Sequence, residues 1–144
     1  MTRIRTALVS PDPIDTAALL ASVERPEAGA VSLFVGVVRD HDPQADGEVV
    51  SLDYSAHPSA PQRIGEIIAA TLESVDPDGE TVVAAVHRIG HLVVGDAAFV
   101  VAVSAAHRRQ AFEVCEQVVE RVKAELPIWK QQFAADGTYG WSGL

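Results

Sequence analysis

The sequence predicts one α+β domain with a mixed or antiparallel sheet and about three helices. Three observations lead there. The 144 residues fit a single domain, 1–144, with a real core. Apolar residues make up 48% of the chain and no run is low in complexity, so the chain has the makings of a packed interior. Strand-like and helix-like stretches follow in the order β-α-β-β-α-β-β-α-β-β.

Each element has a local reason. RIRTALVS, residues 3–10, alternates as a strand does. Turn residues in PDPID precede a helix from about Ile14 to Glu24, with Pro26 beyond its end. GAVSLFVGVVRD, residues 29–40, reads as a long strand, and Gly36 within it marks a bulge or the close approach of a backbone or ligand. HDPQADGE, residues 41–48, is a polar loop. VVSLDYSAH resumes as a strand, and the next helix starts near Ala60 or Pro61, where the first turn tolerates proline. After the DPDGE turn, TVVAAVHRIGHL and AAFVVAVSA read as two strands joined through VVGD. The longest helix runs from about His107 to Leu126. PIWKQQFAADGTYGWSGL then gives a strand, an Asp-Gly turn and a short strand.

Composition excludes several classes. A net charge of -9 would repel a polyanion, so nucleic acid is set aside. A small anion can still be held if the few cations converge. No apolar run reaches membrane-span length and MTRIRTALVSPDPID is no signal peptide, so a cytoplasmic location is expected. Cys115, the single cysteine, allows no internal disulfide and no multi-cysteine metal site. It falls on the apolar face of its helix and reads as a buried structural thiol. His87 and His91 stand four apart, but in a strand and turn without HExxH, so they read as structural or surface residues. His41 and His57 have no ligand partner in view, and no metal or cofactor is expected.

The cations carry the informative pattern. Lys123 and Lys130 are the only lysines, seven residues apart across Pro127. On the long helix Phe112, Cys115, Val119, Val122 and Leu126 form an apolar stripe, joined by Ala111 and Val118. Lys123 falls about 20° from Phe112, at the edge of that stripe. A partly desolvated ammonium loses its proton more easily, which suits acid/base or nucleophilic work; the ordinary alternative is a snorkelling side chain. Pro127 ends the helix. Lys130 then shares a strand face with Ile128, opposite Trp129, and a chain that turns back brings it towards Lys123. His107-Arg108-Arg109 opens the long helix, where positive charge opposes the dipole but unpaired amides can seat a phosphate. A solvated basic turn is the alternative there. Arg39 ends the second strand, and its planar fork suits phosphate or carboxylate.

With those residues in hand the chain resembles the large, catalytic subunits of molybdopterin synthase. The matching pieces are GAVSLFVGVVRDHD, LDYSAHPSA, AAVHRIGHLVVGD, VAVSAAHRRQAFEVCE and VKAELPIWKQQ, from about Gly29 to Trp141. The resemblance implies an α/β-hammerhead-type fold and a sulfurtransferase that converts cyclic pyranopterin monophosphate to molybdopterin. Sulfur would come from the C-terminal glycine thiocarboxylate of a small ubiquitin-like subunit. Two large subunits would form a central homodimer with a small one at each end, a heterotetramer. The implied substrate site comprises Val37, Val38, Arg39, His107, Arg108, Lys123, Lys130, Gln131 and Gln132. Lys123 is the central acid/base or covalent group, and Lys130 stabilises oxyanion charge. Ser55, His57 and Gln132 stand where the family commonly has a glutamate, an aromatic and a glutamate. Two other readings fit the lysines. One is a Schiff-base enzyme acting on a phosphorylated carbonyl compound. The other is a non-catalytic module that docks a ubiquitin-like tail.

Overall fold

The computed structural model describes residues 3–41, 48–135 and 137–143. Most of the polar loop at 41–48, and Asp136 of the Asp-Gly turn, lie outside these residues. Eight strands and three helices follow in order: β1 (Ile4–Ser10), α1 (Thr16–Val23), β2 (Ala30–Val37), β3 (Val49–Ala56), α2 (Ala60–Val75), β4 (Val82–Arg88), β5 (Gly90–Val93), β6 (Ala97–Ala105), α3 (Arg108–Glu125), β7 (Ile128–Ala134) and β8 (Tyr139–Gly143). They build two four-stranded sheets, ordered β1-β4-β6-β2 and β5-β3-β7-β8. The first is mixed, because β1 runs parallel to β4. The second is antiparallel throughout. The fold is therefore α+β.

The central strands β4 and β6 of the first sheet are covered on both faces, which explains their nearly continuous apolar sequences. Ile64, Ile67, Ile68 and Leu72 of α2 and Val114, Val118 and Val122 of α3 pack on Val83, Ala85, Phe99, Val101 and Val103. Leu19 and Val23 of α1 cover Val82, Ala84, Val86, Val100 and Ala102 on the other side. Val38, Leu52, Leu92 and Ala98 join the two sheets at one end.

Helix ends follow their sequence signals. Asp15 caps α1, its carboxylate accepting from the Ala18 amide at 3.0 Å. His107 precedes α3 in an extended conformation with no side-chain cap. Leu126 closes it, also extended, as Pro127 requires. His57 has a turn role: its Nδ1 accepts from the Ser59 amide at 3.1 Å, just ahead of α2. Gly36 sits at a register shift between β2 and β6, the bulge that the glycine predicts.

Two expectations are corrected. HRIGHL is not the end of one strand. Gly90 has φ +93, so the chain breaks after Arg88 and β5 crosses into the second sheet, beside β3. The stripe on α3 is also shifted. Ala111, Val114, Cys115, Val118, Val119 and Val122 are buried, while Phe112 is 63% exposed. The helix meets the sheet one step further round than the wheel of apolar residues suggests.

Candidate functional site

Between the two sheets, where α3 ends, lies a cavity of about 380 Å³. Phe34 and Gly36 of β2, His87 of β4 and Phe99 of β6 line it from one sheet. Leu52 and Tyr54 of β3 and Lys130 and Gln132 of β7 line it from the other. Lys123 enters from the last turn of α3, and Val37, Val38 and Arg39 from the end of β2. The register explains the second wall. Tyr54 pairs with Lys130 and Leu52 with Gln132, so these side chains share the inward face of an antiparallel ladder. Ile128 also points inward and is buried, whereas Trp129 on the opposite face is 47% exposed. The strand alternation read from PIWKQQ is the one the chain adopts.

The cavity concentrates positive charge. Arg39, Lys123 and Lys130 line it, and no carboxylate does among the described residues. Arg39 and Lys123 form no ion pair among the described residues. A chain of net charge -9 thus leaves one pocket electropositive. Such a pocket attracts a small anion, and low-dielectric walls strengthen that attraction.

One wall is aromatic. Phe34 meets Phe99 edge-on at 5.9 Å. Phe99 stacks on His87 at 5.3 Å, and Tyr54 meets His87 edge-on at 5.0 Å. Gly36 keeps this wall accessible, since a Cβ there would lie 3.3 Å from the Phe34 ring. A flat heterocycle can rest on such rings while its anionic end reaches the cations.

Of the residues expected from sequence, Val37, Val38, Arg39, Lys123, Lys130 and Gln132 line this cavity. Gln131 does not; it alternates to the outer face with Trp129. His107 and Arg108 lie elsewhere in the same chain. His107 borders a shallow pocket with Arg25, Glu27, Glu80 and Gln110. Arg108 is the first residue of α3 and Lys123 one of its last, about 22 Å along the axis at 1.5 Å per residue. Ser55 is exposed on the outer face of β3, opposite Trp129.

Sequence reasoning read His87 as structural or surface. It is buried, at 2% exposure, as a structural residue is, and it also lines the cavity. Burial pushes its pKa down to about 4, and the Lys123 charge acts in the same direction against the bond to the Arg88 carbonyl. The signal was present: a lone imidazole closes the apolar run VVAAV. Cys115 is buried as expected, and burial raises its thiol pKa.

Comparison with known proteins agrees with this architecture. The family model "MoaE protein" matches residues 9–125. Molybdopterin synthase catalytic subunit 1 of Mycobacterium tuberculosis is 39% identical over 125 residues, 87% of this chain and 82% of that protein. A crystal structure of molybdopterin synthase from Staphylococcus aureus superposes with a TM-score of 0.84 at 31% identity, covering 100% of this chain and 99% of that one. A complex of subunits 1 and 2 of molybdopterin-converting factor from Helicobacter pylori contains the same fold, at TM-score 0.66 and 19% identity, over 98% of this chain and 90% of that one.

Proposed function

The chain belongs to the MoaE family of molybdopterin synthase catalytic subunits, enzymes of molybdenum cofactor biosynthesis; from that premise we propose the chemistry its cavity performs. As a single cytoplasmic domain, it converts cyclic pyranopterin monophosphate to molybdopterin. The dithiolene sulfurs arrive as the C-terminal thiocarboxylate of a small ubiquitin-like subunit. The observation that carries this reading is the meeting of Arg39, Lys123 and Lys130 in one cavity without a lining carboxylate among the described residues. Arg39 holds the phosphate by its bidentate fork. The pterin lies against the Phe34–Phe99–His87 wall. Lys123 moves a proton or attaches transiently to substrate during sulfur insertion. The thiocarboxylate sulfur bonds to the substrate, and Lys130 stabilises the oxyanion formed when water attacks the acyl carbon of that adduct; the C–S bond then breaks, leaving sulfur on the substrate and a carboxylate on the tail. Gln132 lies against substrate beside Lys130, and Gln131, on the outer face, steadies the strand that carries both.

His107 and Arg108 act in this reading on the cavity of a second copy. Val31, Leu33, Val35 and Val37 form an exposed apolar row on β2, the edge strand of its sheet. His107 stands beside the start of β2, where Ala30 pairs with Ala105, and Arg39 lies beyond its end. Two β2 edges paired antiparallel about a two-fold axis would bring each copy's His107-Arg108 towards the other's Arg39. The small subunit then sits at each outer end, with its tail in the cavity. The Helicobacter pylori complex is a precedent for two unlike subunits built around this fold.

Reconstitution tests the proposal. The chain, a thiocarboxylated small subunit and cyclic pyranopterin monophosphate should together yield molybdopterin, while the same subunit ending in an ordinary carboxylate should yield none. Product from the carboxylate form, or none from either, would contradict it.

A further inference from the structure

We propose that His87 is a positioning residue for the reaction at this cavity: held as its Nδ1–H tautomer, it keeps Nε2 unprotonated as an acceptor on the cavity wall, and this acceptor restricts where the Lys123 ammonium comes to rest. The inference deepens the role given to Lys123 above and rests on it.

The tautomer follows from chemistry. His87 Nδ1 lies 2.8 Å from the Arg88 backbone oxygen. A carbonyl oxygen only accepts, so Nδ1 carries the proton and Nε2 bears the lone pair. The ring cannot easily turn over. Phe99 stacks on it with an interplanar angle of 25°, and Tyr54 abuts it at 81°. His87 also sits directly across from Phe99 in the β4–β6 register. The imidazole is thus fixed, buried and directed by neighbours on both sheets.

Its surroundings keep it an acceptor. Burial opposes a charge on the ring and the Lys123 charge opposes it further, against the bond to the Arg88 carbonyl, which lowers the pKa to about 4. An apolar residue would fill the position at lower desolvation cost, as Val82 to Val86 do along the same strand. What the imidazole adds is one acceptor in a cavity whose cations are all donors. Lys123 has a flexible four-carbon stem, and a fixed acceptor restricts where its ammonium rests.

Long-range ¹H–¹⁵N spectra of the five imidazoles in the full chain read this directly. At neutral pH His87 should show a protonated Nδ1 and a bare Nε2, and its Nε2 resonance should move in Lys123→Met. In the reconstituted enzyme, His87→Phe keeps the ring packing but removes both nitrogens. It should lower kcat about tenfold or more with KM little changed, since misplaced groups reduce turnover steeply. His87→Gln, whose amide oxygen can reach the Nε2 position, should recover most of that loss. An Nε2–H tautomer, an Nε2 resonance indifferent to Lys123→Met, or equal loss in the Phe and Gln variants would each overturn the positioning role. If His87→Phe does not fold, the spectra and the Gln variant still decide. Full turnover in Lys123→Met would instead remove the role of Lys123 itself, a separate failure.

Discussion

Two regions of the molecule treat charge in opposite ways. At the end of α2, Asp76 is 1% exposed and answered from every side. Arg3 pairs with it, Thr81 donates from its hydroxyl at 2.6 Å and its amide at 2.9 Å, and the Glu80 amide donates at 3.0 Å. Gln110 of α3 adds a bond at 3.3 Å. At the end of α3, three cations face a cavity in which no described residue supplies a carboxylate. The first cluster spends its electrostatics on holding a loop, a strand and two helices together. The second gathers positive charge on a concave wall to which no described residue brings a carboxylate, so it favours an anion that enters. A buried carboxylate ringed by donors marks structure; cations gathered in a concave site mark function.

The sharpest way to break this contrast is complementation. Lys123→Ala and Arg108→Ala should each be inactive in the proposed dimer, whose sites draw on both copies. Refolded together, the two variants should regain activity, because a hybrid dimer holds one intact site. No recovery from two inactive variants would mean that each chain works alone, and an active Arg108→Ala would mean that Arg108 has no part in the site.

Removing the satisfied charge should cost stability and spare chemistry. Asp76→Ala strands the Arg3 guanidinium and the Thr81 hydroxyl, and should lower unfolding free energy by about 2–4 kcal/mol. Turnover per folded molecule should not change, as denaturant melts paired with activity would show. The acid side follows from the same cluster. Burial alone would raise the Asp76 pKa, but the hydrogen bonds from Thr81 and Glu80 and the Arg3 charge hold it below its ordinary 3.8. Its contribution is therefore complete above 3.8 and disappears as pH falls through the lower, folded value.

His87 sets a different window. Its pKa falls from 6.5 to about 4 on folding, so the unfolded chain binds the extra proton first. Stability should decline as pH drops from 6.5 to about 4 and then level for this group. The shift is worth about 3 kcal/mol at most. Melts of His87→Phe across that range should be flatter than those of the parent chain.

The smallest expected effect is at Cys115, buried with a raised thiol pKa. Cys115→Ala should cost about 1 kcal/mol of stability and leave turnover intact, since in the proposed reaction the donor sulfur comes with the partner. A large loss of turnover in that variant would put sulfur chemistry on this chain instead.

Much of this contrast was legible in the sequence. Gly36 announced the bulge, Pro127 the end of α3, and the alternation in PIWKQQ the inward face of Lys130. Lys123 at the edge of an apolar stripe did reach the cavity. What escaped has physical reasons. A helical wheel projects along the axis, so it hid the length that separates Arg108 from Lys123. Nothing local says that the glycine after Ile89 hands the chain to a second sheet, because either hand of φ is open to it. His87 reads as structural from its apolar neighbours and is buried as such a residue is; only the opposing sheet reveals the cavity beside it.

In the proposed reaction the ammonium of Lys123 acts on a substrate held in this cavity. Single-turnover assays of Lys123→Ala with the thiocarboxylated small subunit should find fold and partner binding unchanged and product formation slowed about a hundredfold or more. A normal rate from that variant would take Lys123 out of the reaction.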